Sequence, residues 1–189
     1  GQNLDMHVNV SVRQLEQSSF ALRFAETIER YGLRPDSIVL ELTESVLASS
    51  DQRGILEELH RLGVRIAIDD FGTGYASWGY LADLPVDILK LDRTFISCLE
   101  SEHTREVVRA ILEIARSRRI MVVAEGVERA EERDILTQLG CSHGQGWLFS
   151  VPLNPADLRD RLRGEATSGA QRGSPAELPD GLPATLGRD

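Results

Sequence analysis

The sequence predicts an α/β fold, in which parallel strands alternate with helices along one domain. Between residues 6 and 150, short apolar runs of alternating polarity take turns with longer amphipathic runs. Several of the longer runs end in a glycine, the residue that most often terminates a helix. Strands separated by helices pair in parallel and are covered by those helices. The pattern therefore indicates an open doubly wound sheet or a barrel.

About six strand–helix units can be placed along the chain. The predicted strands cover 6–12, 37–44, 65–72, 87–92, 120–128 and 144–150, and the predicted helices cover 20–32, 52–63, 104–117 and 129–140. The segment 75–85 is less regular and is compatible with a short helix. No glycine-rich dinucleotide loop follows the first strand, which disfavours a Rossmann fold.

Five of the predicted strands each carry one polar residue on the face opposite their large aliphatic side chains. Residues two apart in a strand share a face, and parallel strands end at the same edge of a sheet. These polar side chains should therefore converge where α/β barrels place their active sites. Taken singly, each acid could be an exposed strand-end residue or a helix cap, but five in phase disfavour that alternative. The five residues are Asn9, Glu41, Asp69, Lys90 and Glu125.

The acidic residues at these strand ends point to divalent cations. With Glu44, Asp70 and Glu128, six carboxylates would crowd one mouth, and Lys90 is the only evident cation among them. Bare carboxylates at this density repel one another, and divalent cations offset the repulsion. Oxygen ligands suit Mg²⁺ or Mn²⁺ better than zinc, and two-metal sites commonly cleave phosphodiesters. Glu44 has a second interpretation, as an acid that favours a helix start.

Bulk properties exclude several functional classes. The formal charge of −9 over 189 residues argues against a nucleic-acid polymer as partner, although a small anion held by metals stays open. Cys98 and Cys141 show no metal or redox spacing, which is typical of reduced thiols in a cytoplasmic domain. No apolar run has membrane length and no signal peptide is present, so any membrane anchor is expected outside this chain. Four histidines share no ligand spacing and are interpreted as surface or packing residues: His7, His60, His103 and His143.

Six ordered motifs resemble the EAL domain, a family of cyclic di-GMP-specific phosphodiesterases. They are "VNVS", "LELTES", "IAIDDFGTGYASW", "LPVDILKLDRTFI", "VVAEGVE" and "GQGWLFSVPL". The resemblance extends over about residues 4–162. It implies a TIM-like (β/α)8 barrel that hydrolyses cyclic di-GMP to linear pGpG with Mg²⁺ or Mn²⁺.

The resemblance also implies roles for individual residues. Asp69 would bridge two metals, and Lys90 would contact the metal-bound water. Glu125 would serve both as a ligand and as the general base. The implied metal ligands are Asn9, Glu41, Asp69, Asp70 and Glu125.

A second group of residues is implied around the substrate and one loop. Gln145 resembles a substrate-site residue near the guanine. Glu44 and Glu128 resemble supports of the loop over 71–77. That loop contributes Phe71, Gly72, Thr73 and Gly74 to the site.

The sequence departs from the family pattern at its start. The name-giving Glu-x-Leu-x-Arg segment, which supplies a metal ligand and a phosphate contact, does not precede "VNVS". We expect residues 1–164 to be a partial EAL domain without its first two strand units, inactive on its own, and residues 165–189 to be a disordered tail. Among smaller departures, "ARSRRI" replaces the usual Leu-Gly-type turn before a strand.

Two other functions remain open. A non-catalytic EAL-like module would bind cyclic di-GMP or a partner protein without hydrolysis. A metal phosphohydrolase of another family could share the barrel, because a fold alone does not fix function. The resemblance is also consistent with a homodimer near the loop after Asp70, and with regulatory or diguanylate cyclase domains in a full-length protein that could be membrane-anchored.

Overall fold

The chain folds into a curved parallel sheet with helices packed on one face. The structure is a computed structural model that describes residues 4–44, 52–74, 81, 83–168 and 176–177. Strands β1 to β6 are parallel, and the short β7 is antiparallel to β6. The strands are β1 Met6–Asn9, β2 Ile38–Thr43, β3 Arg65–Phe71, β4 Ile88–Leu91, β5 Met121–Glu125, β6 His143–Gln145 and β7 Ala176–Glu177.

The strand order decides between the two α/β architectures. Neighbours in the sheet follow one another in sequence, in the order β1-β2-β3-β4-β5-β6-β7. A doubly wound sheet reverses its strand order at a switch point, whereas a barrel adds each new strand on the same side. The six parallel strands form a half-barrel, which confirms the predicted α/β barrel class.

The helices lie between the strands, as predicted. Gly32, Gly63 and Gly140 follow three of them with φ of +59°, +88° and +85°, which are left-handed values that glycine adopts without strain. A 3₁₀ turn covers Pro35–Ser37. The helices are α1 Val12–Leu15, α2 Phe20–Tyr31, α3 Arg53–Arg61, α4 Arg93–Ser97, α5 Glu102–Ser117, α6 Ala130–Gln138 and α7 Pro155–Ser168.

Two apolar layers flank the sheet. The larger layer lies between the sheet and the helices, where Ile66 and Ile68 of β3 join one large buried cluster. The smaller layer lies on the inner face, where strand residues pack on one another near the strand starts; it contains Val39, Ala67, Ile88 and Val123. The inner layer of aliphatic side chains lies directly below the polar strand ends and closes the bottom of the site that they form.

The structure differs from the sequence prediction near the carboxyl end. The strand predicted over 144–150 is wrong beyond Gln145, because the chain then turns back onto the loop after β5. Leu148 N–H donates to Val127 O (3.0 Å), and Trp147 is 68% exposed. Helix α7 covers Pro155–Ser168, and Ala176–Glu177 pairs with β6.

Residues 75–80 and 82 lie outside the described residues, so the short helix considered over 75–85 falls largely outside them. Within the described ranges, no helix combines the length and the apolar character needed to cross a bilayer. Cys98 and Cys141 are free thiols, exposed and buried respectively.

Candidate active site

Polar side chains from neighbouring strands meet at the carboxyl end of the sheet. Asn9 pairs with Glu41 across β1 and β2, and Glu125 pairs with Gln145 across β5 and β6. Lys90 lies on β4, between these two pairs. Glu41, Lys90 and Glu125 each follow an inner-layer residue by two positions, so the strand period places them on the inner face. The sheet therefore brings together the residues that the sequence pattern put in phase.

Lys90 is surrounded by three carboxylates, and we call Glu41, Asp69, Lys90 and Glu125 the carboxylate–lysine cluster. Lys90 Nζ lies 2.9 Å from Glu41 Oε1, 2.8 Å from Asp69 Oδ1 and 2.8 Å from Glu125 Oε1. The lysine side chain is only 5% exposed. One ammonium group thus offsets part of the negative charge that three strands deliver to the same point.

Burial and charge set the protonation of this cluster. Burial acts against the Lys90 charge, but ion pairs with Asp69 and Glu125 raise the pKa of Lys90 well above its ordinary value. Burial raises the pKa of Glu125 to about 7, and the Asp69 charge adds to the effect while Lys90 opposes it. For Glu41, burial is outweighed by hydrogen bonds from His7 and Lys90, which hold its pKa below the usual range. Glu41 and Glu125 therefore differ in how readily they take up a proton.

A bulge in β3 lets two adjacent acids reach the same mouth. Ile68 pairs with Leu89 and Phe71 pairs with Leu91, so three steps along β3 match two along β4. Asp70 adopts φ +54°, a left-handed value, inside this irregularity. Strict alternation would turn Asp70 toward the helices and Phe71 toward the inner face. With the bulge, Phe71 joins the helix-side core.

Three carboxylates at the bulge are arranged as a metal could use them. One oxygen each of Asp69, Asp70 and Glu125 lies within 4.8 Å of the other two. Burial and the neighbouring Asp69 charge raise the pKa of Asp70, because both disfavour its ionised form. A bound cation would stabilise that ionised form. The donors are all oxygens, the type that hard divalent cations prefer. The residues present fit a divalent metal ion.

A cavity of about 470 Å³ opens beside the cluster. Asn9, Glu41, Lys90 and Gln145 contribute its polar wall, and Phe149 contributes an apolar one. Its size is within the range of small-molecule sites. Asn9 and Gln145, predicted as metal ligand and substrate residue, thus border the same space as the cluster.

Glu44 holds the beginning of the loop after β3. Its Oε2 accepts the backbone N–H groups of Gly72 (2.9 Å) and Gly74 (3.1 Å). Thr73 Oγ1 donates to the carbonyl of Asp70 (2.9 Å), which ties the loop back to the bulge. The rest of the predicted loop, 75–77, lies outside the described residues.

Comparison with known proteins identifies the family of this site. The sequence model of the EAL domain matches residues 1–152. The chain belongs to the EAL domain family. The cyclic di-GMP phosphodiesterase PA2567 of Pseudomonas aeruginosa is 40% identical to it over 166 residues, which are 85% of this chain and 28% of that protein. The cyclic di-GMP phosphodiesterase PdeR of Escherichia coli is 36% identical over 156 residues, which are 81% of this chain and 24% of that protein.

Solved structures agree with this EAL assignment. The EAL domain of Mycobacterium smegmatis DcpA matches with a TM-score of 0.80 and 37% identity, over 85% of this chain and 73% of that one. The PaMucR phosphodiesterase in complex with c-di-GMP matches with a TM-score of 0.77 and 38% identity, over 82% and 64%. The chain spans between 20% and 28% of the length of the curated relatives named here and of the Bacillus subtilis signaling protein YkoW.

Glu128 stays a predicted support of the loop over 71–77, of which 75–77 lie outside the described residues. Its side chain is exposed, and no hydrogen bond joins it to residues 71–74 in the part of the chain that the structure describes. Its backbone N–H instead donates to Glu132 Oε2 (2.9 Å), which also accepts from Arg129 N–H (3.0 Å). Glu132 is buried and caps the start of α6. The spacing of an acid three residues after an N-cap position, here Arg129, could have identified it.

His7 is a second residue that sequence reasoning missed. Its Nδ1 lies 2.7 Å from Glu41 Oε1, so the ring bonds to the same oxygen that contacts Lys90. His7 precedes Asn9 by two residues, and the strand period therefore puts both on the inner face. That position, rather than any ligand spacing among histidines, was the signal in the sequence.

Proposed function

We propose that this EAL domain hydrolyses cyclic di-GMP to linear pGpG with the help of Mg²⁺ or Mn²⁺. The observation that carries the proposal is the carboxylate–lysine cluster beside Asp70, at the carboxyl end of a parallel half-barrel. Relatives at 36% and 40% identity are named cyclic di-GMP phosphodiesterases, which supports the same substrate here.

The metal would be held by residues already gathered at the mouth. Asp69, Asp70 and Glu125 would hold one ion, because their oxygens are close enough to share it. Asn9 and Glu41 would contribute to a second ion together with Asp69. When bound, the ions supply Lewis acidity toward the phosphate and lower the pKa of the attacking water.

Lys90 supplies a fixed positive charge to the reaction. Its raised pKa keeps it protonated at neutral pH, so it does not act as a base. In our proposal Nζ orients the attacking water and balances the negative charge that grows on the phosphate oxygens. The three carboxylates at 2.8–2.9 Å fix the position of Nζ, so the ammonium group moves little during the reaction.

Glu125 is the residue that we assign to proton transfer. It lies at the end of β5, with one carboxylate oxygen against Lys90 and the group close to Asp69 and Asp70. In the proposed step, Glu125 takes a proton from water as the water oxygen bonds to phosphorus. The bond from phosphorus to O3′ breaks, and the departing O3′ takes a proton from solvent water to become the 3′-hydroxyl of pGpG. General base catalysis of this type contributes roughly 10²- to 10⁴-fold to a rate.

The substrate would lie in the cavity beside the cluster. The amide groups of Asn9 and Gln145 would hydrogen-bond to the edge of a base or to a phosphate oxygen, and Phe149 offers an apolar surface. The chain carries a net charge of −9, which repels an anionic dinucleotide. Lys90 and the bound ions offset that repulsion where it matters, at the scissile phosphate.

The test is hydrolysis of cyclic di-GMP by the protein that carries this chain. We expect linear pGpG by ion-exchange chromatography in Mn²⁺ or Mg²⁺, and none in EDTA. Binding of cyclic di-GMP with no turnover in either metal would reject the phosphodiesterase and leave a receptor module. Turnover that persists in EDTA would reject the metal-dependent mechanism.

The proposal extends to assembly. We infer that a homodimer forms near the loop after Asp70, and that regulatory or diguanylate cyclase domains accompany this one. The further domains are supported by relatives of which the chain matches only 20% and 28%. The homodimer rests on the family resemblance alone. Sedimentation velocity of the protein that carries this chain tests the dimer.

A further inference from the structure

A second cavity lies at the opposite end of the sheet from the candidate active site. It measures about 340 Å³ and opens between the carboxyl end of α5 and the segment that leads into β6. Met121 and His143, the first residues of β5 and β6, both line it, which places it at the strand starts. Arg116 and Arg119 contribute its basic side.

Arg119, two residues after the end of α5, adopts a conformation that ordinarily selects glycine. Its φ is +61°, and Arg119 N–H donates to the carbonyl of Arg116 (3.1 Å) in the manner of a helix terminus. Gly32, Gly63 and Gly140 take the same left-handed conformation just after three other helices. A side chain at such a position is strained, and strain that persists points to a role for the side chain.

The loop across the cavity leaves room for the other arginine. A Cβ atom on Gly140 would come within 2.9 Å of an Arg116 guanidinium nitrogen, so the guanidinium lies directly beside this loop. Basic residues in the last turn of a helix also favour its macrodipole, and this accounts for Arg116 alone. Arg119 lies beyond the helix and needs another explanation.

The two arginines are not occupied by carboxylates. No Asp or Glu lines the cavity, and within the described ranges no carboxylate forms an ion pair with Arg116 or Arg119. Two guanidinium groups facing one cavity are therefore available to an external anion.

We propose that this cavity binds a small phosphate-bearing molecule with a planar ring, of the nucleoside monophosphate class. Guanidinium groups donate bidentate hydrogen bonds to phosphate oxygens. Ser142 adds a hydroxyl beside them, and Leu112 and Ile120 give an apolar floor on which a ring packs. The concave shape and the apolar floor favour such a molecule over an acidic peptide, which would need an extended basic groove. The site does not depend on the phosphodiesterase proposal.

Isothermal titration calorimetry of the 189-residue chain in EDTA tests this site. The probes are AMP and inorganic phosphate, and the variants are Arg116→Ala and Arg119→Gly. Glycine suits a φ of +61°, so Arg119→Gly removes the guanidinium without disturbing the backbone. We expect saturable AMP binding that each variant weakens at least tenfold, with AMP bound more tightly than phosphate. Arg109→Ala, on the same helix but outside the cavity, is the control and should bind AMP as the unmodified chain does.

Other results would overturn the proposal. The site is absent if AMP does not bind saturably, or if both variants bind it as the unmodified chain does. Equal affinity for AMP and phosphate would contradict the ring-bearing ligand class. Displacement of AMP by micromolar polyglutamate through the same arginines would assign the cavity to an acidic peptide instead.

Discussion

Lys90 is the only lysine in the chain, and the other 20 basic residues are arginines. The chain thus uses arginine wherever a surface charge suffices, but has lysine where one nitrogen must lie within 2.9 Å of three carboxylates. An ammonium group is compact and donates in three directions, whereas a guanidinium group is planar and donates in a fixed fork. The geometry of the cluster therefore requires the residue type as well as the charge.

Replacing Lys90 by arginine tests this requirement. We expect Lys90→Arg to retain the charge but to lower kcat for cyclic di-GMP at least about 100-fold, because the fork cannot contact all three carboxylates. Arg109→Lys, the reverse exchange at an exposed site, is the control and should leave kcat unchanged. Turnover by Lys90→Arg near that of the unmodified protein would refute the argument.

The contact of His7 with Glu41 makes a separate residue-scale prediction. His7 Nδ1 lies 2.7 Å from Glu41 Oε1 and orients a carboxylate that we assign to a metal. Loss of such an orienting partner typically weakens metal binding about 10- to 100-fold. We expect that loss for His7→Ala in calorimetric titration with Mn²⁺. His60→Ala is the matched control, since His60 lies near Asp87 at the other end of the sheet; unaltered Mn²⁺ affinity in His7→Ala would disprove the role.

At the scale of elements, the turn from β3 into its loop brings the adjacent acids Asp69 and Asp70 to the same side of the sheet. The bulge turns Asp70 to the mouth, and Glu44 then fixes Gly72 and Gly74 by their backbone N–H groups. Gly72 has φ +100°, and a Cβ atom there would lie 2.2 Å from the ring of Phe95 on α4. The turn after β3 therefore requires glycine at position 72, because another residue would strain the backbone and its side chain would clash with Phe95.

Glycine replacement measures that dependence. We expect Gly72→Ala to lower the free energy of unfolding by at least about 2 kcal/mol, from strain and overpacking together. Gly54 lies in α3 with nothing within 4 Å of the added Cβ atom. Gly54→Ala should therefore raise the free energy of unfolding by about 0.5 kcal/mol. Urea denaturation decides, and equal effects of the two variants would show that Gly72 has no special conformation.

The pairing of β5 with β6 buries one of the two thiols. Burial raises the pKa of Cys141 to about 11, so at pH 8 its thiol is protonated as well as inaccessible. We expect one thiol to react rapidly with Ellman's reagent in the folded chain, and the second only in denaturant. Cys98→Ser should abolish the rapid phase, and Cys141→Ser should leave it intact. Rapid reaction of both thiols would mean that this part of the sheet is open.

At the scale of the molecule, the regular features of the fold were readable from the sequence. Periodicity located the strands, and Gly32, Gly63 and Gly140 marked helix ends, because these signals are local. The convergence of polar strand ends was also readable, since parallel strands that follow one another must end at one edge. The family resemblance then supplied the barrel class that the pattern had left open.

Other features depend on contacts that no local pattern contains. The β3 bulge arises from the pairing of two strands, so alternation alone misplaces Asp70. The strand predicted through Ser150 ends at Gln145, because the loop after β5 offers Val127 as a competing partner. Likewise the buried carboxylate of Glu132, which accepts the backbone N–H groups of Glu128 and Arg129, was not identified by any motif.

The most direct test of the account is the rate of cyclic di-GMP hydrolysis in saturating Mn²⁺ by the protein that carries this chain, compared with its Glu125→Gln variant. We predict a fall in kcat of at least about 100-fold, because the variant keeps the size of the group but loses the base. Glu113→Gln, an exposed change on α5, is the control and should retain full turnover. Full turnover by Glu125→Gln would contradict the central claim that the residues around Lys90 form the catalytic centre.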